Sequence, residues 1–136
     1  MRQRTVRACL AAIVSAFVAL AASGPTRAQD GNAEEGAEVF KKCRACHDIG
    51  PTAKNKVGPV LNGIIDRKAG TIDGFAYSEA NKAAGGKGLV WSEDVLLKYL
   101  ENPIAFMPGT KMAFAGLKDV QDRRDLIAYL KQYSKK

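Results

Sequence analysis

Five consecutive residues carry the chemistry that this chain can do: Cys43-Arg44-Ala45-Cys46-His47. Two thiols three positions apart, with a histidine directly after the second, form the attachment pattern of a c-type haem. The spacing has a chemical reason. Each thiol can add across one vinyl group of the same haem, giving two thioether bonds. The imidazole of His47 is then held close beneath the iron, where it can serve as the proximal ligand.

Three other readings compete for the same residues. A redox dithiol uses a CxxC pair, but in the company of a βαβ pattern that this chain lacks. Structural zinc almost always takes four ligands. The chain has one histidine and, beyond its first 28 residues, two cysteines. A plain disulfide leaves His47 without a role. Haem attachment accounts for all three side chains.

The elements that must position them begin after a leader. Met1-Arg2-Gln3-Arg4-Thr5-Val6-Arg7 is basic, Ala8 to Ala22 is uncharged, and Thr26 and Ala28 are small residues at its end. This layout describes a secretory signal peptide over 1–28, cleaved after Ala28. An uncleaved anchor is the alternative, although the apolar run falls short of the ~20 residues of a membrane span. A mitochondrial transit peptide would instead be amphipathic and Ser-rich. Cys9 sits early in the apolar run and reads as filler. Export also suits haem attachment, which needs thiols in a managed redox compartment, here the bacterial periplasm. Losing the leader removes Arg2, Arg4, Arg7 and Arg27 and no acid, so the net charge falls from +7 to +3. A chain this mildly basic, with no nucleic-acid motif, is a poor nucleic-acid binder. About 108 residues remain, 29–136, enough for one domain.

Within that domain the periodicity is helical and no strand pattern occurs. Acid-rich Asp30 to Glu35 opens a helix over about 33–42, with Gly36, Val39 and Phe40 on one face. Glycine is a poor helix former, so Gly36 suggests that another helix crosses there. Residues 48–76 hold seven glycines and prolines and little pattern. Such a stretch is unusual in a compact domain unless it packs on a cofactor. Within it, Pro59 offers a carbonyl that can accept the Nδ1–H of a ligating imidazole. Ser78 caps a short helix over about 77–82, and Gly85-Gly86-Lys87-Gly88 reads as a flexible loop. Ser92 caps a further helix that stops near Asn102, before Pro103. Phe106 to Gly116 forms an apolar loop. A last helix runs from Asp119 to about Tyr133, with Leu126, Ile127, Leu130 and Tyr133 as its stripe and Lys131, Lys135 and Lys136 near its negative end.

His47 is the only histidine, so a second protein ligand to iron must be of another type. Met107 and Met112 both lie in the apolar loop, and either is also plausible as core filler. Met107 precedes a proline, where the backbone is restricted, and position alone leans toward Met112.

Read together, these segments resemble class I cytochrome c of the mitochondrial and bacterial cytochrome c2 type. The resemblance runs from about Glu35 to Tyr133. It rests on Cys43 to His47, Val57-Gly58-Pro59, Asp66-Arg67-Lys68, Gly74-Phe75-Ala76-Tyr77, Ala80-Asn81-Lys82, Tyr99 to Pro103, Pro108-Gly109-Thr110-Lys111-Met112 and Asp125 to Leu130. It implies an all-α fold in which N- and C-terminal helices cross and loops wrap one covalent haem, over a domain at 29–136. It implies Met112 as distal ligand and Pro59 as acceptor of the His47 hydrogen bond. Tyr77 and Trp91 would bond the haem propionates, with Arg67 nearby. Tyr99, Asn81 and Thr110 would form a polar network beside Met112, and Phe114 would shield the haem edge.

The resemblance further implies a soluble, monomeric one-electron carrier rather than an enzyme. Its partners would be a quinol–cytochrome c oxidoreductase as donor and a terminal oxidase or photosynthetic reaction centre as acceptor. A haem enzyme or gas sensor is the alternative. It needs an openable iron position, and no second histidine is present to act as a distal acid–base group. Mitochondrial members ring the haem edge with lysines. Here Lys42, Lys54, Lys56, Lys111 and Lys118 remain candidates, but Glu38, Ile104, Ala105 and Asp119 stand where those members carry lysine. Steering by charge should therefore be weaker.

Overall fold

The computed structural model describes residues 30–134. The leader expected over 1–28, and with it the expected cleavage point, lies outside the described residues, as do Lys135 and Lys136. The described residues are mostly helix and loop, and pair as strands only at an isolated bridge between Lys68 and Val90. The fold is all-α. No helix among the described residues is long and apolar enough to cross a membrane.

Helix α1 (Ala33–Phe40) starts at Asn32, whose side chain accepts hydrogen bonds from the amides of Glu34 and Glu35. Those two acids also sit at the positive end of the helix dipole. Gly36, Val39 and Phe40 are its buried residues, three and four apart as the periodicity predicts. The helix is two residues shorter than expected. It tightens into successive turns in which the Cys43 amide donates to the Phe40 carbonyl and the His47 amide to the Cys43 carbonyl. The rigid end of α1 thus passes directly into the CxxCH segment.

Helix α5 (Val120–Gln132) is capped by Asp119 and crosses α1. The crossing is very close. A β-carbon on Gly36 would lie 2.0 Å from the Asp125 carbonyl oxygen and 2.8 Å from the Tyr129 β-carbon. The Phe40 and Tyr129 rings meet at 5.3 Å between centroids. The buried Asp125 carboxylate accepts from the Asn32 amide at 2.7 Å and from Gln121 at 2.8 Å, tying the start of α1 to α5.

The remaining helices are short. Ser78 caps α2 (Glu79–Gly86), and Ser92 caps α3 (Glu93–Tyr99), each accepting from the amide three residues on. Here the structure corrects the sequence reading in two places. Gly85 and Gly86 belong to α2 rather than to a loop. The Ala69 carbonyl oxygen approaches Gly85 to within 2.1 Å of where a β-carbon would sit, so a glycine is required where propensity argued against helix. The loop after Leu100 also holds a single turn, α4 (Pro103–Phe106), with Asn102 as cap and Pro103 in its first turn.

The long stretch 48–76 is irregular, as expected, but it is fastened at both ends of the molecule. Trp91 is joined to this stretch by two backbone hydrogen bonds, Asp66 N–H to Trp91 C=O and Trp91 N–H to Arg67 C=O, at 3.0 and 2.9 Å. The Gly63 amide donates to the Tyr133 carbonyl at the end of α5. The core is built from Phe40, Ile64, Trp91, Leu96, Tyr99, Leu100, Met107, Leu117, Leu126, Ile127 and Leu130.

Gly36→Ala should lower stability by about 2–3 kcal/mol, because the helices cannot separate without losing the core. Gly86→Ala, with open space around it, should leave stability unchanged or raise it slightly. Denaturant unfolding of the two variants checks this. Equal effects would remove the crossing as the reason for Gly36.

Candidate functional site

A cavity of about 340 Å³ opens between the CxxCH turn, the 57–77 loop, α2, α3 and the loop after α4. The volume lies in the ~300–1,000 Å³ range of cofactor pockets. Cys43, Cys46, His47, Pro59, Arg67, Tyr77, Asn81, Trp91, Thr110 and Met112 all line it. The chain therefore brings every site residue expected from the sequence to one place. A second hollow of about 310 Å³, between the start of the domain, α3 and α5, holds Asp30, Glu93, Asp94 and Lys131 but none of the cysteine, histidine or methionine donors.

On the His47 side, Nδ1 lies 2.8 Å from the Pro59 carbonyl oxygen. That oxygen can only accept, so Nδ1 carries the proton and Nε2 keeps its lone pair. Burial pushes the imidazole pKa below its ordinary 6.5, with the Arg67 charge acting in the same direction and the Pro59 bond opposing both. The ring is thus neutral at pH 7, the form that binds metal. Gly58 packs flat against it. A β-carbon there would lie 2.4 Å from Cε1 and 2.7 Å from both nitrogens. The Gly58 amide also donates to the Cys46 carbonyl at 2.7 Å, so the same residue holds the CxxCH turn and the ring.

The two thiols are free and unequal. Cys46 is exposed and Cys43 half-buried. Burial pushes the Cys43 thiol up to about 11, with Lys42 opposing and Cys46 adding a little. Among the described residues, no three His, Cys, Asp or Glu side chains gather as a structural zinc would need.

The two methionines separate clearly. Met107 is 5 % exposed and packs in the core, away from the cavity lining. Met112 lines the cavity, half-buried, and its sulfur accepts a hydrogen bond from the Tyr99 hydroxyl at 3.2 Å. The Met112 amide donates to Thr110 Oγ1 at 3.2 Å, fixing the backbone on either side. Burial raises the Tyr99 pKa, so its hydroxyl stays protonated and able to donate.

The polar residues between these poles are held by the backbone. Arg67 Nη1 donates to the Asn62 carbonyl at 2.9 Å, and its fork also reaches Val60. Tyr77 and Trp91 are nearly fully buried. Asn81 Oδ1 is buried without a hydrogen-bond partner, an acceptor that costs free energy unless something in the cavity satisfies it. Apolar walls, two thiols, a neutral imidazole, a thioether and one orphaned polar atom together fit a haem c. Sequence reasoning missed part of this wall. Ser78, Leu61, Ile64, Leu96 and Leu130 also line the cavity, and only the α5 stripe and the Ser78 cap were visible beforehand.

The expected lysines are less uniform. Lys42 and Lys111 line the cavity, whereas Lys54, Lys56 and Lys118 do not. Lys42 pairs with Asp122 at 3.0 Å, Lys111 donates to the Ala76 carbonyl at 3.1 Å and Lys118 to the Glu101 carbonyl at 2.8 Å.

The sequence model of the family described as cytochrome c matches residues 33–134. The cytochrome c2 of Blastochloris viridis is 56 % identical over 118 residues, covering 87 % of this chain and 89 % of that protein. The cytochrome c-550 of Ancylobacter novellus is 55 % identical over 100 residues, covering 74 % and 94 %. The solved structure of cytochrome c2 from Rhodospirillum centenum superposes with a TM-score of 0.74 at 48 % identity, over 77 % of this chain and all of that one.

Gly58→Ala should tilt the His47 ring and loosen the Pro59 hydrogen bond. A lower yield of covalent haem by mass, or an altered optical spectrum of the haem that is attached, is expected. A variant with unchanged yield and spectrum would show that the ring does not need this glycine.

Proposed function

The chain belongs to the cytochrome c family, of the class I, cytochrome c2 type, and from that premise we propose that it is a periplasmic one-electron carrier with His47 and Met112 as the iron ligands. Family membership brings electron transport and one covalent haem c, with Cys43 and Cys46 in the attachment motif. When bound, the haem supplies a single reversible ferric–ferrous couple, whose potential a thioether ligand raises.

The residues of the chain do the rest. His47 presents Nε2 because Pro59 holds Nδ1–H. Tyr99 orients the Met112 sulfur. With both iron ligands supplied by these fixed side chains, little would rearrange on electron transfer and no position would be left for a substrate, which is why this reads as a carrier and not an enzyme. Tyr77 and Trp91 are positioned to bond the propionates, and Arg67 to offset their charge. Asn81 and Thr110 complete the polar side beside Met112. The observation that carries the reading is that His47 and Met112, from opposite ends of the domain, line one cavity while Met107 does not.

The partners that suit this reading are a quinol–cytochrome c oxidoreductase as donor and a terminal oxidase or photosynthetic reaction centre as acceptor, met by a monomer released from its 1–28 leader. Docking would use the lysines near the haem edge.

Met112→Ala should abolish the weak far-red band of ferric iron bound to a thioether and lower the potential by on the order of 0.1 V, within the ~0.8 V that axial ligands command. Met107→Ala should cost about 2–5 kcal/mol of stability by opening a core cavity, yet keep the band. Optical and redox titration of the two holoproteins checks both. The reverse pattern would sink the ligand assignment and favour a haem enzyme or sensor.

Electron uptake from the donor complex should slow as ionic strength rises from about 0.01 to 0.15 M, over which the Debye length shrinks from ~30 to ~8 Å. The slope should be shallow, because several of the lysines are already tied to acids or carbonyls. Stopped-flow rates that ignore salt would remove charge steering.

A further inference from the structure

Residues 101–117 leave the end of α3 and come back to it. The Leu117 amide donates to the Leu100 carbonyl at 2.7 Å. Gly116, at φ +90°, lies so close that a β-carbon would sit 2.1 Å from the Glu101 carbonyl oxygen. Lys118 Nζ donates to that same carbonyl at 2.8 Å. The segment is therefore a closed loop with a narrow neck, of the compact kind whose ends touch. Thr110, Met112 and Phe114 all lie within it.

One side chain from outside spans the neck. Arg123, in the first turns of α5, has a side chain only 8 % exposed. Its Nη1 donates to the Leu117 carbonyl at 2.6 Å and to the Lys118 carbonyl at 3.0 Å. Its Nη2 lies 3.6 Å from Glu101 Oε2 on the other limb. Nε is buried without a partner. A buried cation is costly unless it is paired, and a planar fork can hold two carbonyls and a carboxylate at once where an ammonium cannot. The cost is borne at the one point where both limbs of the loop meet the helix that crosses α1.

We propose that Arg123 is the positioning residue of the distal side: it closes the neck of loop 101–117 against α5 and so keeps the Met112 sulfur at the cofactor. This rests on the reading of Met112 as ligand. Arg123 does not line the cavity; it acts through the loop. Without the fork, the loop opens as a unit while the α1–α5 crossing stays formed, which is local rather than global unfolding.

The test uses holoprotein carrying Arg123→Met, which keeps an apolar stem of similar length, and Arg123→Lys, which keeps the charge but not the fork. Denaturant titration follows the far-red ferric band and far-UV helicity together. Hydrogen exchange follows the Leu117 amide and the Phe40 amide in α1. In Arg123→Met the band should disappear at lower denaturant than helicity, and Leu117 should exchange about tenfold faster or more with Phe40 unchanged. Arg123→Lys should fall between this and the unmutated protein, and it gives the same two readings if Arg123→Met does not accumulate. Band and helicity shifting by the same amount, or an unchanged Leu117 amide, would overturn the proposal. A band missing from the unmutated protein would instead overturn the Met112 ligation, and Leu117 exchange would still read the clamp.

Discussion

The backbone-to-backbone approach of α1 and α5 at Gly36 is the constraint on which the rest depends. Asp125 presents a carbonyl where any other residue at 36 would place a β-carbon. That contact sets where α1 ends, and α1 ends in the turns that hold Cys43, Cys46 and His47. It also sets where α5 lies, and α5 supplies Leu126 and Leu130 to the cavity wall and Arg123 to the distal loop. One crossing thus places the CxxCH turn and the loop that carries Met112 relative to each other.

Between that turn and that loop the chain uses little regular structure, and the physical reason is the cavity. Loops that cannot bury one another pack around a shared apolar volume, and a cofactor bonded to the chain completes the core they lack. Their polar groups are satisfied locally instead. Pro59 accepts from His47, Val60 and Asn62 accept from Arg67, and the Trp91 backbone accepts from Asp66 and donates to Arg67. Asn81 Oδ1 is the exception, and it stands on the cavity wall.

Much of the site was legible because its residues are constrained by chemistry. Cys43, Cys46 and His47 stand at a spacing that attachment imposes, and Gly58-Pro59 supplies both a flat contact and an acceptor. The caps Ser78 and Ser92 were legible for a similar reason, since each satisfies amides that a helix start leaves open, as Asn32 and Asp119 also prove to do. Local rules failed where a distant segment decided the outcome. Gly85 and Gly86 have loop propensity, but the Ala69 carbonyl packs against Gly85 and the segment is helix. Met107 and Met112 sit in one apolar stretch, yet Met107 packs in the core and Met112 lines the cavity.

By itself, then, the sequence determined the attachment chemistry, the helical periodicity and the Ser78 and Ser92 caps, because each is set by neighbours a few positions apart; Gly36 only hinted at a crossing whose partner lies in α5. The resemblance to class I cytochrome c extended this to the roles of residues far apart. Only the tertiary structure decided that ten separated side chains share one cavity, that Met107 is core and Met112 is wall, and that a buried guanidinium joins both limbs of the distal loop to α5. Those outcomes depend on contacts between segments distant in the chain, and no local pattern of residues encodes the distance across which they meet.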